Sequence, residues 1–167
     1  IRSHGLQREI IEQAREKNLY IHDFTCPKVK HIHHLVTRLI EEGYFVLIIG
    51  NPYHPEVKAI FSLTRGKAMV IEKQKGLEHL DPDSPVGVVV QTTFDPRKFI
   101  HLAGKIISLS KKTVIYNTLC EETIRRQREA FRMAKEVDLL LVVGGKNSSN
   151  TRTLFEMVRK KVKACLL

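Results

Sequence analysis

Two of the three cysteines in this chain of 167 residues occupy positions that suit a reactive thiol. Cys26 and Cys120 each follow a predicted strand and precede a predicted helix, whose N-terminus stabilises a thiolate. Their wide separation excludes a zinc ribbon and a Cys-x-x-Cys redox pair. Soft thiolates that converge from separate loops suit iron–sulfur ligation, and buried structural cysteine is the alternative. Cys165 lies in an apolar tail and is predicted to belong to the core.

Polar residues with other chemistry follow two further predicted strands. His54 and Glu56 lie at a predicted helix start, where the imidazole could bind an anion and the carboxyl could donate a proton if burial raised its pKa. The local pattern by itself favours a simpler role for Glu56, which is to complement the helix dipole. Gln91, Thr92 and Thr93 could line a pocket or only cap the following helix, and the local pattern favours the cap.

A loop rich in glycine and serine, GGKNSSN at 144–150, lies between a predicted strand and a predicted helix. Its backbone N–H groups, its hydroxyls and the positive helix end suit a phosphate or diphosphate, although it lacks the spacing of a Walker A loop. A plain turn with Ser149 or Asn150 as the helix N-cap is the evenly weighted alternative. His4 precedes a glycine in a loop and could also reach a ligand. No metal site is predicted at the histidines of the helix that follows Cys26, which are His31, His33 and His34.

Hydrophobic periodicity alternates between helix and strand along the chain. Each polar cluster described above follows a predicted strand, and open parallel sheets bind ligands beyond the carboxyl ends of their strands. Short apolar strands separated by helices indicate an α/β fold, with mostly parallel sheets and helices on both faces. Strands are predicted at 19–21, 44–49, 68–71, 86–90, 114–116 and 139–143, with a possible further strand at 162–167.

Composition narrows the class of protein. Hydrophobic residues make up 43% and charged residues 28%, which is typical of a globular domain and argues against disorder. The formal charge of +10 favours an anionic partner, but the basic residues are spread along helices, which weakens the case for nucleic acid. No apolar run is long enough for a membrane span. The odd cysteine count indicates a reducing compartment, and with no targeting segment visible a cytoplasmic location is predicted.

Six motifs, taken together and in order, resemble the 4-hydroxy-3-methylbut-2-enyl diphosphate reductases, the LytB-type enzymes of isoprenoid precursor synthesis. They are RSHG at 2–5, TCP at 25–27, HPE at 54–56, QTT at 91–93, NTLC at 117–120 with RQ at 126–127, and KNSSN at 146–150. The resemblance covers essentially the whole chain. It implies an oxygen-sensitive 4Fe-4S cluster held by three cysteines, at which two electrons and protons remove the substrate hydroxyl as water to give isopentenyl and dimethylallyl diphosphates.

The resemblance also implies roles for individual residues. Cys26 and Cys120 match two cluster ligands, Glu56 matches the catalytic proton donor, and Thr92 matches a catalytic hydroxyl beside the substrate that helps to relay the proton. The groups that hold the substrate, chiefly its diphosphate, match His4, His54, Thr92, Ser148, Ser149 and Asn150. The implied partners are an allylic diphosphate substrate and an external electron donor such as ferredoxin or flavodoxin, with no membrane and no nucleic acid.

The chain departs from the family pattern near both ends. A glycine-rich segment with the first cluster cysteine and a substrate-binding histidine is not found, nor is a closing loop with a substrate-binding serine, and Cys165 does not match the missing ligand. The family has three similar α/β lobes, so residues 1–26 are predicted to end the first, 27–116 to form the complete middle lobe and 117–167 to form part of the third. The chain is therefore predicted to be a fragment that is inactive alone, with its third cysteine ligand upstream.

Two alternatives from other classes stay open. A basic α/β domain could bind nucleotide or nucleic acid through the GGKNSSN loop and its lysines, with a steep salt dependence and no dependence on the cysteines. A thiol-dependent enzyme could use Cys120 as its nucleophile, although it would need a nearby histidine that the sequence does not identify.

Overall fold

The computed structural model describes residues 1–145 and 148–167, apart from the side chain of Ser149. These residues form two compact units, Ile1–Thr118 and Leu119–Leu167. In both units helices and strands are interspersed along the chain, and every strand pair found in the described residues is parallel. The predicted α/β class is therefore confirmed, whereas the predicted division into parts of three lobes stays a prediction. None of the helices in the described residues has the length and apolar character that crossing a membrane requires.

The first unit is built on a four-stranded parallel sheet. Its elements, in chain order, are α1 (Arg8–Glu16), α2 (Pro27–Glu41), β1 (Phe45–Ile49), α3 (Pro55–Ser62), β2 (Ala68–Ile71), a short 3-10 turn (Leu77–His79), β3 (Val86–Val90), α4 (Pro96–Leu109) and β4 (Thr113–Ile115). The strand order is β2-β1-β3-β4, so β2 and β3 lie on opposite sides of β1. The strand order reverses between β1 and β3, and open α/β sheets bind ligands beyond the carboxyl ends of the strands at such a point.

The local sequence explains these elements. The central strands β1 (FVLII) and β3 (VGVVV) are rich in β-branched residues and almost wholly buried, as strands covered on both faces are. Proline starts α2, α3 and α4, where its missing N–H has no helical partner to lose. Asp95 caps α4 by accepting the N–H of Arg97 at 2.8 Å. After α2, Gly43 takes a left-handed φ of +83°, which glycine adopts without strain, and the chain turns into β1.

One core of the first unit lies where α2 and α3 pack on β1 and β3. Its buried residues are Ile32, Leu35, Val36, Leu39, Val46, Ile48, Val57, Ile60 and Val89. Each side chain of this size contributes roughly 1.5–3 kcal/mol when fully buried. This packing fixes both helices against the sheet, so the residues at their N-termini, Cys26 and His54, have defined positions.

The second unit repeats the first half of this pattern. It contains α5 (Glu121–Met133), β5 (Leu139–Val142), α6 (Ser149–Val158) and β6 (Lys163–Leu166), with β5 and β6 paired in parallel. Cys120 precedes α5 as Cys26 precedes α2, and a glycine follows each first strand closely. A methyl group at Gly144 would lie 2.5 Å from the hydroxyl oxygen of Thr151, so this loop packs directly on α6. The core of this unit consists of Ala134, Leu140, Val142 and Val158.

Two predictions from the sequence are wrong. Residues 19–21 form no strand, and Tyr20 is 87% exposed, because a short apolar run without a neighbouring strand has no hydrogen-bonding partner. Cys165 is exposed rather than part of the core. It lies in β6, where successive side chains point to opposite faces, and Ala164 and Leu166 take the face that packs on the core. The possible strand in the tail is confirmed as β6.

Candidate active site

Glu56 is a carboxyl group with no exposed surface. Thr92 binds both of its oxygens, donating its backbone N–H to Oε1 at 2.7 Å and its hydroxyl to Oε2 at 2.7 Å. Burial raises the pKa of Glu56 above its ordinary value, although the two hydrogen bonds from Thr92 and the charge of His4 act in the opposite direction. A carboxyl that keeps its proton to higher pH is suited to donate it to a ligand. A role at the helix dipole would not explain this burial.

Neighbouring strands bring Glu56 and Thr92 together. β1 and β3 pair in parallel, with Ile49 opposite Val90, so the loops that follow them leave the sheet side by side. Glu56 lies in the first turn of α3, after the first of these loops, and Thr92 lies two residues beyond the end of β3. The pair therefore lies beyond the carboxyl ends of β1 and β3, where the strand order reverses.

Gln91 joins these two loops. Its side-chain oxygen accepts the N–H of Asn51 at 3.0 Å, and its side-chain nitrogen donates to the hydroxyl of Thr93 at 3.0 Å. Gly50 permits the close approach, because a methyl group there would lie 2.8 Å from Val57 and 2.9 Å from Gln91. This role is not visible in the sequence, since only strand pairing makes the two loops neighbours.

His54 caps α3 with its side chain. Its Nδ1 accepts the backbone N–H of Glu56 at 3.2 Å, and this bond assigns the proton of the neutral ring to Nε2. Burial, and after it the electrostatic interaction with His4, lower the pKa of His54 to about 4. At neutral pH the ring is therefore uncharged, and Nε2–H is the group that can donate to an anion.

His4 approaches this pair from a turn near the start of the chain. The N–H of Gly5 donates to the carbonyl of Arg2 at 3.1 Å, which closes the turn. The His4 and His54 rings pack edge to face, with their centroids 5.0 Å apart. One ligand atom from each of His4, His54 and Glu56 lies within 4.8 Å of the others. Two imidazoles and a carboxyl at this spacing can bind an oxyanion, and they are also ligand types found in divalent metal sites.

Cys26 is tied to the same turn through the backbone. Its N–H donates to the carbonyl of Ser3 at 3.0 Å. Asp23 fixes the residues that precede Cys26. Its carboxylate accepts the N–H of Thr25 at 2.9 Å and pairs with Lys30 at 2.8 Å. The bonds from Lys30 and Thr25 hold the pKa of Asp23 well below its usual range. Cys26 is half-buried, forms no disulfide and directly precedes α2, as the sequence predicts for a thiol at a helix N-terminus.

The remaining predicted site residues belong to the second unit. Cys120 is half-buried, forms no disulfide and directly precedes α5. Ser148 caps α6 by accepting the N–H of Thr151 at 3.3 Å, so the N-cap is Ser148 rather than Ser149 or Asn150. The side-chain oxygen of Asn150 is buried and has no hydrogen-bond partner among the described residues. The structure does not describe Lys146, Asn147 or the side chain of Ser149.

The lowered pKa of His54 predicts a loss of stability in acid. A histidine whose pKa falls from 6.5 to about 4 on folding stabilises the folded state fully above the first value. That contribution disappears as the pH falls through the second value, because the unfolded chain binds the extra proton. Asn is a good helix cap that does not titrate in this range. In urea unfolding at several pH values across this window, we expect the free energy of unfolding to fall more steeply toward acid for the wild type than for His54→Asn. Equal slopes for the two proteins would contradict the burial of a neutral imidazole here.

Comparisons with known proteins give the chain a family. The family model described as LytB protein matches residues 1–167. The 4-hydroxy-3-methylbut-2-enyl diphosphate reductase of Aquifex aeolicus (strain VF5) is 40% identical over 158 residues, which are 93% of this chain and 55% of that relative. The enzyme of the same name from Geobacter sp. (strain M21) is 39% identical over 163 residues, which are 96% of this chain and 56% of that relative. The chain thus spans about half the length of the curated relatives it matches.

Two solved structures are similar to the chain. One is described as (E)-4-hydroxy-3-methyl-but-2-enyl diphosphate reductase, the terminal enzyme of the non-mevalonate pathway; the match has a TM-score of 0.74 and 36% identity, and it covers 99% of this chain and 60% of that one. The other is the E-1-hydroxy-2-methyl-but-2-enyl-4-diphosphate reductase from Plasmodium falciparum, with a TM-score of 0.88, 27% identity, and coverage of 99% of this chain and 54% of that one. Because the family match covers the whole sequence and relatives at this identity share its fold, the chain belongs to the LytB protein family.

Proposed function

We propose that the longer protein containing this chain reduces 4-hydroxy-3-methylbut-2-enyl diphosphate to isopentenyl and dimethylallyl diphosphates. The reaction breaks the bond between carbon and the hydroxyl oxygen and forms a C–H bond. Two electrons and two protons enter, and the oxygen leaves as water. An external donor of the ferredoxin or flavodoxin type supplies the electrons, and the predicted cytoplasmic location is compatible with such donors.

The observation that carries this proposal is the buried carboxyl of Glu56. A hydroxyl group leaves more easily as water, so the reaction needs a proton delivered at the oxygen. Burial favours the protonated form of Glu56, and Thr92 holds both carboxyl oxygens in place. The hydroxyl of Thr92, 2.7 Å from Oε2, can pass a proton between Glu56 and a bound ligand. A domain that only bound nucleic acid would gain nothing from a buried carboxyl whose pKa is raised.

The diphosphate end of the substrate is assigned to the imidazoles and to a helix N-terminus. His54 is neutral and offers Nε2–H, and His4 adds a second ring edge to face with it. In the second unit, the start of α6 carries Ser148, Ser149 and Asn150, and free N–H groups at a helix start favour phosphate oxygens. The excess of basic residues attracts an anionic substrate to the protein as a whole.

Cys26 and Cys120 are assigned as ligands of a 4Fe-4S cluster. Both thiols are half-buried, free of disulfides and placed at helix N-termini, and cysteine sulfur is the ligand that holds iron–sulfur clusters in proteins. The bound cluster would supply the electrons for cleavage of the C–O bond. The resemblance to the family implies that the third cysteine lies in the part of the longer protein that precedes this chain, and Cys165, which lies in a strand, does not match it.

Glu56→Gln tests the role of Glu56 as the proton donor. Gln keeps an oxygen for the Thr92 N–H and an amide nitrogen that can donate to the Thr92 hydroxyl, so the fold should be preserved. It has no acidic proton, and we expect the turnover of 4-hydroxy-3-methylbut-2-enyl diphosphate by the longest natural chain to fall by about 10²–10⁴-fold, as for the loss of a general acid. Iron content and thermal midpoint should not change.

The matched control is Glu41→Gln, which removes an exposed carboxyl at the end of α2. Its turnover should equal that of the wild type. If Glu56→Gln were as active as Glu41→Gln, Glu56 would not be the proton donor.

Cysteine substitutions test the cluster assignment. On the longest natural chain, prepared without oxygen, we expect about four iron and four acid-labile sulfide per chain, as in proteins with one 4Fe-4S cluster. Cys26→Ser and Cys120→Ser should each lose most of this iron, because serine replaces a soft thiolate with a hard hydroxyl. Cys165→Ser is the internal control and should keep it. Iron that is indifferent to Cys26 and Cys120, or absent from the wild type, would reject the assignment.

A further inference from the structure

His33 lies beneath the turn that carries His4. It belongs to α2, seven residues after Cys26. A methyl group built on Gly5 would lie 3.0 Å from Cε1 and 3.4 Å from Nε2 of His33, and 3.5 Å from the methyl of Ala59 on α3. The ring of His33 and the side chain of Ala59 therefore form the surface on which Gly5 rests. Gly5 has a φ of +77°, a conformation that favours glycine, and a side chain there would force the ring of His33 to shift.

His33 also carries a polar atom that the fold does not satisfy. Its Nε2 is buried and has no hydrogen-bond partner among the described residues. Leaving a buried polar atom unpaired costs roughly 1–3 kcal/mol, so an apolar side chain of similar size would stabilise α2 better than histidine does. The stability of α2 therefore does not explain a histidine at this position.

The turn itself has few other anchors on this side. Among the described residues, three bonds join it to the segment before α2: the amino group of Ile1 donates to the His22 carbonyl, Phe24 N–H donates to the Ile1 carbonyl at 3.1 Å, and Cys26 N–H donates to the Ser3 carbonyl at 3.0 Å. All three bonds act on residues that precede His4. Packing on His33 and Ala59 holds the Gly5 side of the turn. Besides the edge-to-face contact of its ring with His54, the position of His4 thus depends on bonds to the segment before α2 on one side and on His33 on the other.

We propose that His33 is a positioning residue for His4. The ring of His33 sets the height of Gly5 above α2, and this height sets the position of the His4 ring against His54. Its effect on catalysis is through substrate binding, because His4 is assigned to the diphosphate, and not through proton donation by Glu56. This last step rests on the proposed function, whereas the contact between His33 and the turn does not.

The first arm of the test measures the turn directly, without turnover. On the full natural chain with its cluster bound, hydrogen exchange is followed by mass spectrometry for peptides that contain the amides of Gly5 and Cys26. His33→Ala should speed exchange in these peptides by about tenfold, since it removes one support of the turn. His34→Ala is the matched control, because His34 is an exposed neighbour on the same helix, and it should leave exchange unchanged.

The second arm measures kinetics. His33→Ala should raise the KM for the allylic diphosphate by about tenfold, the order expected for one lost polar contact, and should leave kcat within about twofold. Gly5→Ala alone should also raise KM, because its methyl group meets the ring of His33. Gly5→Ala introduced into the His33→Ala variant should raise KM by a smaller factor, because the space that the ring occupied is then vacant. The strain at φ +77° is common to both backgrounds and cancels in the comparison.

The outcomes separate this proposal from the proposed function. Faster exchange with a raised KM, an unchanged kcat and a smaller effect of Gly5→Ala in the double variant supports His33 as a positioning residue. Unchanged exchange in His33→Ala overturns it, as does a fall in kcat with KM unchanged. If the wild type does not turn over the diphosphate, the proposed function fails, and the exchange arm alone decides whether His33 holds the turn.

Discussion

The candidate site of the first unit depends on the burial of one carboxyl group, Glu56, between two loops that follow neighbouring strands. Removing a polar group from water is costly unless it is hydrogen-bonded, and both oxygens of Glu56 are bound by Thr92. This arrangement requires β1 and β3 to be adjacent and to end at the same level, which the pairing of Ile49 with Val90 provides. It also requires the loops to stay together, which Gln91 and the space at Gly50 provide. The apolar packing of α2 and α3 on the sheet stabilises the unit and offsets the free-energy cost of burying this carboxyl group.

The environment shifts the pKa values of neighbouring groups in opposite directions. Burial raises the pKa of Glu56, and burial together with His4 lowers that of His54. The carboxyl is thereby biased toward O–H and the imidazole toward a neutral ring with Nε2–H. Both groups can then act as hydrogen-bond donors toward an anionic, oxygen-rich ligand. Titratable groups whose environments separate their pKa values are typical of sites that move protons.

Much of the fold could be predicted from the sequence, because a strong hydrophobic period identifies a strand or a helix from its own residues alone. The short central strands and the proline-started helices lie where the pattern places them. The wrong predictions have a common cause: a local sequence pattern does not show which other element a segment pairs with or packs against. Residues 19–21 are apolar but have no strand to pair with, and Cys165 lies on the exposed face of β6 because its neighbours take the buried one. The candidate site shows the same limit. The motifs identify Glu56 and Thr92, but their direct contact depends on the strand order. The contact of His33 with Gly5 likewise depends on tertiary packing.

The central claim is that Glu56 keeps its proton at pH values where ordinary glutamates have lost theirs. Infrared difference spectra between the wild type and Glu56→Gln, recorded across a range of pH, would isolate the carbonyl band of the protonated Glu56 carboxyl. The structure predicts that this band persists above the ordinary glutamate pKa of 4.5, because burial disfavours the charged form. A band that disappears at or below that value would contradict the account, since Glu56 would then be a charged group stabilised by Thr92 rather than a proton donor.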